Sequence, residues 1–165
     1  MIAITGAGEY LDIIRPYDEI LLNKLKDDPY VLCFPTAAGL ESEERIQYWL
    51  DLGDEHFAKL NVNHKSIRAL NVNDYNKPET LAEIEKANFI YFSGGNPNHL
   101  YDTLSSSLAW EKLLSIHNNG GILAGCSAGA MIMGEKMNKG KGFGFFKNSM
   151  VCLLYTSPSP RDGDE

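Results

Sequence analysis

Ile122-Leu123-Ala124-Gly125-Cys126-Ser127-Ala128-Gly129-Ala130 is the stretch whose reading decides the fold. A short apolar run, the pattern of a buried strand, stops at Gly125. A hydroxyl side chain, a second glycine and an apolar segment follow, with Ala130, Met131, Met133 and Met137 at helical spacing. Gly125-x-Ser127-x-Gly129 is the spacing of a nucleophile elbow, a tight strand-to-helix turn that lifts one hydroxyl clear of a sheet. Glycines flank such a turn because it brings backbone too close for a Cβ. The amide after the nucleophile then sits at a helix N-terminus and can receive a developing oxyanion. The same spacing also serves plain close packing of a helix on a sheet, so context has to decide.

Immediately upstream, Asn88-Phe89-Ile90-Tyr91-Phe92 reads as a strand ending in Ser93-Gly94-Gly95-Asn96-Pro97, a second sharp junction before a helical pattern. The Gly94 and Gly95 amides are candidates for the other half of an oxyanion hole. Asn96 is a candidate for holding a substrate carbonyl, with capping of the next helix as its alternative. Helical pieces near Pro97–Leu104 and Leu108–Asn118 carry the chain to Asn119-Gly120-Gly121 and the elbow strand.

Further out, the pattern alternates. Met1–Thr5 is a strand closed by Gly6-Ala7-Gly8-Glu9, half of a dinucleotide fingerprint without its third glycine, so no nucleotide cofactor is read from it. A helix follows Pro16 with Ile20, Leu21 and Leu25 on one face. Tyr30–Phe34 is a strand. Ser42–Leu60 is an amphipathic helix with Ile46, Trp49, Leu50 and Phe57 facing in and Gly53 weakening its middle. Ile67–Leu70 is expected as a strand and Pro78–Lys86 as a short helix. Strands and helices in this alternation imply an α/β fold in three layers, a mostly parallel sheet with helices on both faces. In such sheets ligands bind where the carboxyl ends of strands meet at a switch point.

The 165 residues fit one domain; 44% are hydrophobic and 22% charged, the balance of an ordinary soluble protein. A net charge of −7 without a basic cluster argues against nucleic acid and anionic membranes as partners. No apolar run approaches the ~20 residues of a membrane span. The N-terminus has no signal-peptide pattern, so a cytoplasmic location is expected. Cys33, Cys126 and Cys152 have neither disulfide-framework nor metal spacing, and no metal or cofactor is expected.

Phe92-Ser93-Gly94-Gly95-Asn96 followed by Gly125-Cys126-Ser127-Ala128-Gly129-Ala130 resembles the peptidase S51 family, which includes dipeptidase E and cyanophycinase and lies within the class I glutamine amidotransferase-like, flavodoxin-like fold. The similarity covers most of Met1–Met150. It implies a serine hydrolase with Ser127 as nucleophile, oxyanion donors from Ala128 and the Gly94-Gly95 turn, and small aspartyl or isoaspartyl peptides as substrates. Asn96-Pro97-Asn98 departs from the Gly-Gly-Asn-Gln of cyanophycinases, so substrate identity is not carried over. A homodimer is left open.

A serine nucleophile needs a base. His56 and His64 are read as solvated, His117 sits at a helix C-terminus, and His99 lies one turn past the glycine pair; none is a convincing partner for Ser127. The family's histidine follows a Gly-Leu-Gly-Leu-like segment, matched here by Gly142-Phe143-Gly144-Phe145-Phe146, and Glu135, the only acid between elbow and that segment, is the candidate for the catalytic acid that the resemblance implies. Past Ser149-Met150-Val151 the expected histidine gives way to a Ser-Pro-rich end. Residues 1–151 are therefore read as an incomplete domain. Residues 152–165 are read as a non-native tail, resembling the translation of a sequencing-library adapter, and the truncated chain is expected to be inactive. Cys126, one residue before the elbow position, is read as a small buried hydrophobe. The alternatives are an amidotransferase-like enzyme using Cys126 and a non-catalytic module that binds small molecules or peptides.

Overall fold

Ile2–Thr5 (β1), Tyr30–Phe34 (β2), Asn63–Ser66 (β3), Phe89–Phe92 (β4) and Ile122–Cys126 (β5) form one parallel sheet in a computed structural model that describes residues 1–152. The order is β1-β5-β4-β2-β3, with Ile4 opposite Gly125, Phe92 opposite Gly125 and Phe34 opposite Phe92. Residues 153–165, most of the segment read as foreign, lie outside the described residues.

Side chains alternate along a strand, so each central strand feeds two cores. Val31, Cys33, Phe89, Tyr91, Ile122, Ala124 and Cys126 pack with Leu22 of Arg15–Leu22 (α1) and Phe57 of Glu43–Lys59 (α2). Leu32, Phe34, Ile90, Phe92 and Leu123 point the other way. They meet Tyr75 of Val72–Tyr75 (α3), Ile84 of Pro78–Lys86 (α4), Leu100 of Pro97–Ser105 (α5), Leu113 of Ala109–Asn118 (α6) and Ala128 of Ala128–Met131 (α7). The three-layer architecture follows.

Helix starts are set chemically. Ser42 caps α2 by accepting from the Arg45 amide at 3.3 Å, with Glu43 and Glu44 in the first turn, and Pro78 and Pro97 open α4 and α5. Gly53 costs α2 some propensity but lets it approach the sheet, since a Cβ there would lie 3.2 Å from the Cys33 Cβ.

Three expectations are corrected. The third strand is Asn63–Ser66 and not Ile67–Leu70; as an edge strand it buries little, so its polar side chains hide it from an apolar search. In α1, Leu22 and Asp18 face the core while Ile20 is exposed. The helix after the elbow ends at Met131. Ile132 caps it, and the chain turns into a small sheet of Gly134–Met137 (β6), Gly140–Lys141 (β7) and Phe146–Met150 (β8), ordered β7-β6-β8. Phe143 stacks on Trp110 and Tyr101 and ties this sheet to α5 and α6.

The two sheet edges differ. β3 carries Lys65 and His64, whereas β1 and α1 border a groove of about 690 Å³ beside exposed Ile4, Ile13, Tyr17 and Ile20. An apolar edge, unpaired among the described residues, favours self-association. The double substitution Ile13→Lys, Ile20→Lys is expected to hold folding stability within ~0.5 kcal/mol, as surface changes do, and to reduce concentration-dependent association in light scattering. An unchanged mass at every concentration would refute this.

Candidate active site

The elbow is built by two glycines that meet each other. A Cβ on Gly125 would lie 2.2 Å from the Gly129 carbonyl oxygen, and one on Gly129 would lie 2.2 Å from the Phe92 carbonyl oxygen. The turn therefore presses α7 against both β4 and β5. Ser127 between them has φ 53° and ψ −114°, backbone that side-chain-bearing residues rarely adopt. Its amide donates to the Thr5 carbonyl at 3.2 Å, which anchors the turn to β1. The Ser127 side chain is half-buried. Among the described residues the Ala128 amide, first of α7, has no acceptor.

The second glycine turn comes to the same place. A Cβ on Gly94 would stand 3.1 Å from the Ser127 Cβ and 3.4 Å from its Oγ, so the two motifs touch. Gly95 is exposed, with φ +140°, and a Cβ there would lie 2.4 Å from the Ala37 carbonyl group in the turn after β2. The Asn96 amide donates to that same Ala37 oxygen at 2.7 Å.

Two residues expected to contact substrate are otherwise engaged. The Gly94 amide donates to Glu9 Oε1 at 3.0 Å, which leaves Gly95 as the amide of the pair without an acceptor among the described residues. Asn96 Oδ1 accepts from the Asn98 and His99 amides at 3.0 and 3.1 Å. It is the cap of α5.

Glu9 is the functional candidate that sequence reasoning passed over. It is 8% exposed, and its second oxygen accepts from the Cys126 thiol at 2.8 Å. The available signal was an acid directly after the glycine turn that ends β1, at the carboxyl edge of the sheet.

Cys126 is fully buried, on the α1–α2 side of the sheet. Burial, and then the hydrogen bond to Glu9, push its thiol up to about 12. A thiol is neutral below its pKa, so essentially no thiolate exists at pH 8 and Cys126 is a poor nucleophile. Cys33 is also buried and shifted upward by burial, while Cys152 is exposed. Iodoacetamide at pH 8 is expected to label the native chain at Cys152 alone, read by mass spectrometry. Rapid labelling of Cys126 would return it to candidacy.

The four histidines have other partners. His56, expected in solvent, is 1% exposed and pairs with buried Asp18 at 2.8 Å. His64 Nδ1 lies 2.8 Å from the Val62 carbonyl, His99 Nε2 lies 2.8 Å from the Leu70 carbonyl, and His117 Nδ1 lies 3.2 Å from the Met1 amine. Glu135, placed on a helix by its sequence context, is an exposed residue of β6 whose carboxylate accepts from the Asn148 amide at 2.6 Å. That bond holds β8. Among the described residues no three of His, Cys, Asp and Glu gather as metal ligands, and no helix is long and apolar enough to cross a membrane.

Comparison with known proteins bears on the family and the fold. Residues 1–148 match the family model described as peptidase family S51. Among solved structures, the chain is 35% identical to a peptidase from an acI-B1 Actinobacterium, with a TM-score of 0.85 over 91% of this chain and 66% of that one. A protein described as a candidate peptidase E from Listeria monocytogenes EGD-e is 20% identical, with a TM-score of 0.57 over 80% of this chain and 60% of that one; it shares the fold. The chain thus spans 66% of the length of the first structure and 60% of the second.

Proposed function

The chain belongs to peptidase family S51, and from that premise we propose that Ser127 is the nucleophile of a serine peptidase acting on small aspartyl or isoaspartyl peptides. The observation that carries this reading is the convergence at Ser127. The hydroxyl of one strained residue stands between two turns, each offering an amide without an acceptor among the described residues, from Gly95 and Ala128. Such amides are aimed where negative charge develops in acyl transfer.

In the proposed reaction the scissile carbonyl lies against the Gly95 and Ala128 amides. Ser127 Oγ attacks the carbonyl carbon, its proton passes to a base, and the oxyanion is held by the two donors. Collapse expels the amine, which takes the proton, and water then releases the acyl group from Ser127. Loss of either donor costs ~2.7–4 kcal/mol of barrier. The resemblance assigns the base to a histidine downstream of Gly142–Phe146; His56, His64, His99 and His117 are bound elsewhere.

A fluorophosphonate probe with peptide mapping tests the assignment. Ser127 is expected to be marked and the Ser127→Ala chain to remain unmarked. Added imidazole should accelerate marking, because general-base help reaches ~10²–10⁴-fold when the base is positioned. Equal marking of the Ser127→Ala chain, or none in either chain with imidazole present, would overturn the nucleophile. Cys126 does not compete for the role, since its thiol is buried and protonated.

A further inference from the structure

Glu9 is a carboxylate buried without a cation. Among the described residues no lysine, arginine or histidine lies within ion-pair distance of it. Burying a carboxyl group in this way is costly, two hydrogen bonds offset the cost only in part, and an apolar side chain would fill the space more cheaply. What Glu9 holds supplies the reason for its place. Its oxygens accept from Gly94 at the end of β4 and from Cys126 at the end of β5, while its backbone belongs to the turn after β1. One carboxylate therefore joins three neighbouring strand ends.

We propose that Glu9 is a positioning residue for the reaction proposed above, holding the Ser93–Gly95 turn so that Gly95 offers its amide to substrate and keeping Cys126 bound as a thiol. The proposal rests on the serine-peptidase reading for its consequence but not for its geometry. The turn is pinned on both flanks, by Glu9 on the Gly94 amide at 3.0 Å and by the Ala37 carbonyl on the Asn96 amide at 2.7 Å. The amide between them is Gly95's. Because Gly94 itself is buried against Glu9 and Ser127, its N–H is withdrawn from the cleft while Gly95 remains exposed. Without the carboxylate, Gly94 is free to rotate its amide toward Ser127, and the Gly95 donor moves with it.

Glu9→Ala and Glu9→Gln test this in the chain as it stands, with three readouts: the Gly94 amide resonance, iodoacetamide labelling of Cys126 at pH 8, and binding of phenylboronic acid, which forms a tetrahedral adduct on a serine hydroxyl. In Glu9→Ala the Gly94 amide proton is expected to move upfield, Cys126 to become reactive, and phenylboronic acid to bind about tenfold more weakly, less than the 10²–10³ of a deleted oxyanion donor. Glutamine has a single acceptor oxygen, so Glu9→Gln is expected to disturb Gly94 or Cys126 even if Glu9→Ala does not fold. An unchanged Gly94 resonance with an inert Cys126 in the folded variants overturns the proposal. So does a lowered urea midpoint with unchanged boronate affinity, the mark of a purely structural role. If the unsubstituted chain does not bind phenylboronic acid, the serine reading fails, and the first two readouts still decide Glu9.

Discussion

Gly129→Ala is expected to cost about 3 kcal/mol of folding stability, at the upper end of what overpacking does. Helix propensity alone predicts the reverse, since alanine is preferred over glycine by ~1 kcal/mol inside a helix. Geometry wins because the atoms in the way are backbone. The new Cβ would lie 2.2 Å from the Phe92 carbonyl oxygen, 2.9 Å from the Phe92 Cβ and 3.0 Å from its carbonyl carbon. Phe92 is fully buried in a central strand and pairs with Phe34 on one side and Gly125 on the other, so it cannot yield alone. Helix α7 cannot retreat either. It is one turn long and tied to the Ser127 carbonyl by the Ala130 and Met131 amides, each at 3.0 Å. Gly120→Ala is the control: with φ +94° and no atom within 4 Å of the new Cβ, only backbone strain of about 1 kcal/mol is at stake. Urea unfolding of the two variants gives the comparison. If Gly129→Ala matches the unsubstituted chain, the close approach of α7 to β4 is not real.

That contact also explains why the fold was legible in the sequence. Gly125, Gly129 and Gly95 stand where backbone meets backbone, and a glycine pattern after an apolar run reports such contacts directly. The central strands Tyr30–Phe34 and Phe89–Phe92 were legible because both faces are buried, which makes them continuous apolar runs. The edge strand Asn63–Ser66 gives no such signal, and its neighbour Ile67–Leu70 drew the assignment by being more apolar. After the elbow, Met133 and Met137 are buried as a helix would require, yet they belong to the turn into β6 and to β6 itself. Burial at a spacing of four does not separate one helix from a helix and a strand. At the candidate site, the sequence named both glycine turns but could not tell which amide of Gly94-Gly95 is open. That depends on Glu9, which is distant in sequence and joined to Gly94 only by the sheet order.

Ser127→Gly is expected to abolish covalent labelling while raising folding stability by about 1 kcal/mol. Ser127 has φ 53° and ψ −114°, and holding a side-chain-bearing residue in such sparsely populated backbone costs of order 1–3 kcal/mol. Glycine reaches that conformation without a Cβ clash, though its freer unfolded chain returns ~0.5–1 kcal/mol of the gain. The net sign favours the folded state. Ser127→Ala removes the same hydroxyl but keeps the Cβ, so its stability should stay near that of the unsubstituted chain. On the proposed reading both variants should lose about 10⁶ in turnover, the scale seen when a nucleophilic serine is removed. Thermal or urea unfolding of the pair separates strain from hydroxyl chemistry: a gain in Ser127→Gly alone means the turn is held against its own preference to display Oγ. Equal stabilities would mean that the turn is relaxed and that its shape owes nothing to the nucleophile. On the proposed serine-peptidase reading the strain at Ser127 serves the display of its hydroxyl, since a scaffold chosen only for packing would place glycine at position 127.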